Sequence, residues 1–238
     1  MNIIAMIPAR YAATRFPAKL MQLLGDKTVI RHVYDATKAT KLFDEVIVVT
    51  DSDLIYNEII NHEGKAMMSK RHHESGSDRI AEAITDMDLD VVINVQGDEP
   101  FIKKEPLEKL CRLFDDPSVQ VGSLIRKIED SNELGNSSCV KVVVNKNYDA
   151  LYFSRSVIPF VAGARIDAPY FQHIGVYGYR KEALLQFTQW PAARLELVEK
   201  LEQLRYLENA VPIRMAVVDF KGVAIDTPED LERARLLL

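Results

Sequence analysis

The sequence predicts an α/β protein: a doubly wound, mostly parallel sheet carrying a small β-rich lobe at about residues 125–190. Three observations lead there. The runs Ile3–Ile7, EVIVVTD (45–51) and DVVINVQGDEP (90–100) are rich in contiguous apolar residues rather than alternating, as in strands buried on both faces. Helical patterns separate these runs through the first half, so successive strands are expected to run parallel with helices on both faces. In the second half VKVVVN (140–145) and ALYFSR (150–155) lie one short polar turn apart, which predicts a hairpin.

Taken in order, the first strand is expected over Ile3–Ile7, the chain leaving the sheet at Pro8. Thr28 is placed to cap a helix whose Val29, Ile30, Val33 and Ala36 share one face. After the second strand, Ser52 opens a helix that Gly64 closes in the left-handed conformation. A short strand, KAMMS (65–69), leads into KRHHESGSDR, where Ser77 is expected to cap the helix DRIAEAITD. Beyond the fourth strand, LEKLCRLF (107–114) reads as a helix and QVGSLIRKI (120–128) as a strand; then come the hairpin, the strand HIGVYGYR (173–180) and a helix from KEALLQF. Residues 195–209 predict one long helix with Leu195, Val198, Leu201, Leu204 and Leu207 on a single stripe. IRMAVVDF (213–220) is a strand, and Thr227 with Pro228 begins the terminal helix.

At 238 residues, 47% hydrophobic and 27% charged, the chain is expected to form one soluble domain over 1–238. Its net charge of −5 argues against a nucleic-acid surface, which needs a broad positive field. No apolar run approaches the roughly 20 residues that span a bilayer, and MNIIAMIPAR lacks the pattern of a secretory signal, so the expected location is the cytoplasm. Cys111 and Cys139 have no nearby second ligand, which suits a reducing compartment and packing roles.

The chemistry gathers at strand ends. IPARYAATRFPAKL (7–20) places Arg10, Arg15 and Lys19 on the loop after the first strand, the edge of an open parallel sheet where ligands bind. Clustered cations there suit an anion; a solvated basic loop is the other reading, and the absence of glycine excludes a Walker loop. INVQGDEP brings Gln96, Asp98 and Glu99 to the same edge, where turn formation explains Gly97 and Pro100. Asp226 precedes a helix start that Thr227, Pro228 and Asp230 already account for, and reads either as a surface aspartate favoured by the helix dipole or as a partner of Asp98 on a divalent cation; magnesium needs only one or two carboxylates beside phosphate oxygens. HHESGSDR offers helix-start amides around Ser75 and Gly76, with Arg79 one turn in, while His72 and His73 read as solvated. Arg155 ends one strand and His173 starts another, a lone histidine being more often structural than catalytic. Glu199 and Glu202, with Gln203 beside them, fall on one face of the expected long helix, as a solvated face or as contacts to a hydroxylated ligand.

With these segments in line, the sequence resembles the 3-deoxy-manno-octulosonate (Kdo) cytidylyltransferases. The likeness runs nearly end to end through IPARYAATRFPAK, HHESGSDR, INVQGDEP, VKVV, ALYFSR with Ile158 and Pro159, HIGVYGYR, LEQLR and DTPEDLE. Where that pattern usually has serine, glycine and proline in the first loop this chain has Ala13, Ala18 and Leu20, and Asn136, Ser137 and Ser138 replace an Asn-Pro-Asn. The resemblance implies a fold of the nucleotide-diphospho-sugar transferase type and a cytoplasmic, Mg²⁺-dependent homodimer that transfers CMP from CTP to Kdo for lipopolysaccharide synthesis, its small lobe serving dimerisation. It further implies that Arg10, Arg15 and Lys19 hold the triphosphate, Asp98 and Asp226 the metal, and Ser75 and Gly76 the base. Gln96, His173, Glu202 and Gln203 would bind sugar hydroxyls, and Arg79 or Arg155 the sugar carboxylate. Related acceptors, 8-amino-Kdo or sialic acid, and a non-catalytic nucleotide-binding role are the alternatives.

Overall fold

The computed structural model of the chain describes residues 1–12, 16–162 and 169–238. The chain divides into two compact units, Met1–Glu108 with Gly222–Leu238, and Lys109–Lys221.

The first unit opens with β1 (Ile3–Ala9), then a 3₁₀ turn at Lys19–Met21, a small antiparallel pair β2 (Leu23–Leu24) and β3 (Lys27–Thr28), and α1 (Val29–Ala39). There follow β4 (Glu45–Thr50), α2 (Asp53–Ile60), β5 (Ala66–Met68), α3 (Gly76–Ile84) and β6 (Val91–Asn94), and then α4 (Lys104–Arg112), which carries the chain into the second unit. The order β6-β1-β4-β5 is parallel throughout. Ile4–Ile7, Ile47–Thr50 and Val91–Asn94 are buried, which is why these strands carry contiguous apolar runs. From β1 the chain builds outward through β4 and β5, then returns to place β6 on the other side of β1. Such a reversal of strand order opens a crevice at the carboxyl ends of the two strands, here β1 and β6. β1 runs two residues beyond the expected exit, with Pro8 in register with Val49.

Two caps differ from expectation. Thr28 accepts the Arg31 amide as foreseen, but the hydroxyl that caps α3 is that of Ser75, which accepts the Asp78 amide at 3.1 Å, and Ser77 lies buried in the first turn. After α2 the left-handed residue is Glu63, with φ 60°; Gly64 serves instead by having no side chain, since a Cβ there would lie 2.5 Å from Ile59 Cγ2.

The second unit holds β7 (Val121–Lys127), the one-turn helix α5 (Ser131–Leu134), the hairpin β8 (Lys141–Val144) and β9 (Ala150–Ser154), and β10 (Phe171–Arg180). It continues with α6 (Lys181–Phe187), α7 (Arg194–Glu199), α8 (Leu204–Glu208) and β11 (Ile213–Val217). Its strands are mixed: β7 pairs parallel with β11 and antiparallel with β10, and β10 pairs antiparallel with β8. The expected long helix at 195–209 is two short ones, broken where Lys200 takes a left-handed φ of 55°. The cause lies outside the segment. Arg155, at the end of β9, donates to the carbonyls of Glu199 at 2.7 Å and Lys200 at 3.2 Å and so caps the first helix. Val198 of the supposed apolar stripe is 72% exposed, whereas Glu196 is buried in a two-pronged pair with Arg205.

The chain returns to the first unit and ends in α9 (Pro228–Arg235), where Thr227 and Asp230 exchange hydrogen bonds as a capping box. Among the described residues no helix is long and apolar enough to cross a membrane.

Candidate active site

A cavity of about 330 Å³ in the first unit is lined by Ala9 and Arg10 from the end of β1, Lys19, the loop from His73 to Gly76, Arg79 of α3, Gln96 to Asp98 after β6, and Asp226. Two glycines let its walls close on β1. A Cβ on Gly76 would stand 3.0 Å from the Pro8 ring, and one on Gly97 would stand 3.1 Å from the Pro8 carbonyl oxygen. These approaches bring the start of α3 and the turn after β6 to the same strand end.

The two acids arrive from positions 98 and 226 because the Ile225 amide donates to the Asp98 carbonyl at 2.9 Å, tying the C-terminal segment to the β6 turn. Asp226 is fixed further by its own amide, which donates to Asp230 at 3.0 Å. Between the two carboxylates sits the Lys19 ammonium, 2.5 Å from Asp98 Oδ2 and 2.9 Å from Asp226 Oδ1. Burial disfavours its charge, but Asp98 by proximity and hydrogen bond, joined by Asp226, holds the ammonium above the ordinary lysine value. Lys19 is thus engaged with the acids, whereas the sequence reading placed it on a triphosphate. The backbone that carries it begins at Ala18, left-handed with φ 53°, a position the family pattern gives to glycine. Glu99 lies behind the acids against Gly222; burial, then Asp98, push its carboxyl up to about 7, and its Oε2 has no hydrogen-bond partner among the described residues.

At the α3 end of the cavity the polar groups are held in place. Arg79 is buried and donates to Asp51 at 2.7 Å and Ser69 at 2.9 Å. His73, expected in solvent, is buried with Nε2 3.0 Å from Glu82 Oε2, and Glu82 also accepts the Lys70 amide. Sequence spacing hid this pair because its partners are nine residues apart, outside any helical repeat. Gln96 reaches Asn94 at 3.4 Å, Arg10 is exposed on the cavity wall, and Arg15 lies outside the described residues.

Arg155, His173, Glu202 and Gln203 belong to the second unit. The Arg155 guanidinium is taken up by the carbonyls of Ser137, Glu199 and Lys200, and its amide and Ser154 bind the Glu199 carboxylate. Glu199 and Glu202 fall on either side of the helix break and do not share a helix face. His173 meets Phe153 edge to face and Tyr177 at a tilt, with Nε2 3.1 Å from Ser123 Oγ, and burial pushes its pKa down to about 3. In the same unit, Gln203 Nε2 and Tyr206 OH are buried with no hydrogen-bond partner among the described residues. Burial, with Tyr179 and Glu202 nearby, holds the phenols of Tyr177 and Tyr206 well above their ordinary value. The two tyrosines escaped the sequence reading because aromatic residues in strands and helices read as packing; the unpartnered hydroxyl of Tyr206 appears only in the fold.

A match to the family described as Cytidylyltransferase spans residues 4–215. The chain belongs to the cytidylyltransferase family. A relative in Flavobacterium johnsoniae, named 3-deoxy-manno-octulosonate cytidylyltransferase, is 56% identical over all of this chain and 99% of its own length. One of the same name in Christiangramia forsetii is 51% identical over 100% and 97%. A solved structure of CMP:2-keto-3-deoxy-manno-octonic acid synthetase complexed with CTP superposes with a TM-score of 0.95 at 38% identity, covering 100% of this chain and 98% of that one. A 4-diphosphocytidyl-2C-methyl-D-erythritol synthase from Anaerococcus prevotii, 14% identical with a TM-score of 0.64 over 99% and 97%, shares the fold.

Proposed function

We propose that this cytidylyltransferase moves CMP from CTP to the 2-hydroxyl of Kdo, releasing pyrophosphate and giving CMP-Kdo for lipopolysaccharide synthesis. It is a nucleotidyltransferase. The observation that carries the reading is the meeting of Asp98 and Asp226 on one cation at the β1/β6 crevice. The names and near-complete coverage of its relatives support the substrate pair.

The two carboxylates fit magnesium: they are hard oxygen donors that meet at a single point, and no group of three or more acids, histidines or cysteines among the described residues completes a cage, which leaves room for water and phosphate oxygens. When bound there, Mg²⁺ would supply charge neutralisation at the phosphate and a lower pKa for the attacking hydroxyl. Arg10 and Lys19 would draw the triphosphate to the crevice, and charge spreading over the phosphoryl oxygens in the transition state makes such positioned cations effective. Arg15 joins them as a proposal from the sequence alone. Ser75 and Gly76 would line the base, with Arg79 fixing the helix behind them, and Gln96 would meet a sugar hydroxyl. We assign the remaining sugar contacts to the second unit: His173, neutral at working pH and so a hydrogen-bonding group rather than an acid, Glu202 and Gln203, with Tyr177 and Tyr206 as protonated donors. For the sugar carboxylate the two candidates are Arg79, paired with Asp51, and Arg155, whose guanidinium is held by carbonyls.

We further propose a homodimer in the cytoplasm formed through the smaller β-rich lobe at about residues 125–190, where the apolar Leu151 and Phe160 are 61% and 89% exposed and a second copy would cover them. Sedimentation as a monomer at micromolar concentration would refute it. The function is tested by pyrophosphate release from CTP and Mg²⁺ with Kdo, 8-amino-Kdo and N-acetylneuraminate in parallel. Preference for Kdo supports the assignment, preference for another acceptor replaces it, and CTP binding without release from any acceptor leaves a nucleotide-binding protein.

A further inference from the structure

Lys19 does more than neutralise two acids. Its ammonium sits where the hydrogen-bonding directions of Asp98 and Asp226 converge, 2.5 and 2.9 Å from their oxygens, and that point is also where a metal would meet both carboxylates. An ammonium and a divalent ion cannot share it. The lysine is well seated: its side chain is only 16% exposed, the 3₁₀ turn at Lys19–Met21 holds its backbone, and Ile225 locks the two acid-bearing segments together. Loss of the ammonium from this seat would leave it short of hydrogen-bond acceptors unless an anion arrives at the same time.

We propose that Lys19 is a resident cation that excludes metal from the Asp98/Asp226 pair until nucleotide phosphates arrive to accept its ammonium. The idea rests on the metal-dependent reading above and adds an order of events to it. Metal alone has only two protein carboxylates to gain and must first displace the lysine. Metal with a triphosphate gains phosphate oxygens as well, while the displaced ammonium, on the same short turn, passes to the phosphates. Binding of metal and nucleotide is then strongly coupled, and the coupling is reciprocal.

The test uses Mn²⁺, followed by its electron paramagnetic resonance signal, with the full chain and neither nucleotide nor sugar present. Lys19→Met keeps an unbranched side chain one atom shorter and removes the charge; it should bind Mn²⁺ at least about tenfold more tightly than wild type. Adding Asp98→Asn to it should abolish the gain, which places the ion on the acid pair. Lys19→Ala serves as a second variant, and circular dichroism identifies which is folded. With CTP added, and Mn²⁺-CTP in solution accounted for, the nucleotide should raise Mn²⁺ affinity by a larger factor in wild type than in Lys19→Met. Equal or weaker Mn²⁺ binding by folded Lys19 variants, or a gain that survives Asp98→Asn, overturns the proposal. Failure of wild type to transfer CMP to any sugar would instead overturn the assigned function, because the Mn²⁺ measurement needs no turnover.

Discussion

In the first unit, polarity at the cavity is carried by charges that meet across long stretches of chain, Lys19 with Asp98 and Asp226 and Arg79 with Asp51, and by the nearer hydrogen bond of His73 to Glu82. In the second unit the fixed charges hold backbone together, as when Glu199 binds the Arg155 amide and Arg155 caps α7, while the buried side-chain atoms without a hydrogen-bond partner among the described residues are neutral ones, of Gln172, Gln203 and Tyr206. The two arrangements suit two chemistries. Matched charges that can exchange partners are what a polyanion and a metal require. Neutral donors kept dry and unpartnered are suited to a ligand rich in hydroxyls, since each gains a bond it lacks without giving one up.

The largest effect should come from breaking the charged arrangement. Asp98→Ala should lower CMP-Kdo formation by on the order of two decades or more, as expected for loss of a metal-positioning group. Its circular dichroism should stay that of wild type, because the Asp98 carbonyl that binds Ile225 is retained. Turnover near wild type would show that the acids are a structural pair for Lys19 and nothing more.

This asymmetry explains what could be read from the chain. β1, β4 and β6 announce themselves because strands buried on both faces tolerate only apolar residues, and Asp98 or Lys19 stand out because a charge beside such a strand needs a reason. The same logic is silent on Tyr177 and Tyr206, whose rings pack like any core residue while the Tyr206 hydroxyl has no partner among the described residues. It also fails at Lys200, where the helix is stopped by Arg155 from a distant strand, and at His73, which is buried against Glu82 of the second turn of α3. Local sequence records local preferences; these features are long-range.

The two units should also respond to pH with opposite sign. Glu99, raised from the ordinary 4.5 to about 7, binds its proton more tightly in the folded chain, so its contribution is complete below pH 4.5 and is lost as pH rises through 7. His173, lowered from 6.5 to about 3, must be charged in the unfolded chain before it is in the folded one, so its contribution is complete above pH 6.5 and is lost as pH falls towards 3. In chelator, Glu99→Gln should therefore gain stability relative to wild type between pH 5 and 8, and His173→Asn should gain it between pH 7 and 5, each on the order of 2 kcal/mol or more. Urea midpoints across pH measure both. Parallel rather than opposed trends would mean that these groups are not placed in the two different surroundings described.

A smaller effect should follow from loosening the second unit alone. Glu199 accepts from Ser154 Oγ at 2.7 Å and the Arg155 amide at 3.0 Å, and with these bonds it fixes the end of α7 to the end of β9. Glu199→Ala leaves those donors unmatched and should cost about 1–3 kcal/mol, read as a lower urea midpoint, with little change in the KM for CTP. Full stability in the variant would show that the guanidinium contacts of Arg155 suffice to hold the break.

The smallest expected change lies at Ala18, the left-handed residue that sets the turn carrying Lys19. A side chain in this conformation costs about 1–2 kcal/mol, whereas glycine adopts it freely. Glycine also gives the unfolded chain more freedom, which returns about 0.4–1 kcal/mol of that difference. Ala18→Gly should therefore raise stability by roughly 0.5 kcal/mol, seen as a small upward shift in the urea midpoint. Since the turn then holds Lys19 less rigidly, the same variant should release the ammonium more easily and bind Mn²⁺ slightly better without nucleotide. A loss of stability would show that the alanine methyl is packed as well as strained, and that the charges of the first unit are held by contacts at this turn rather than in spite of its backbone.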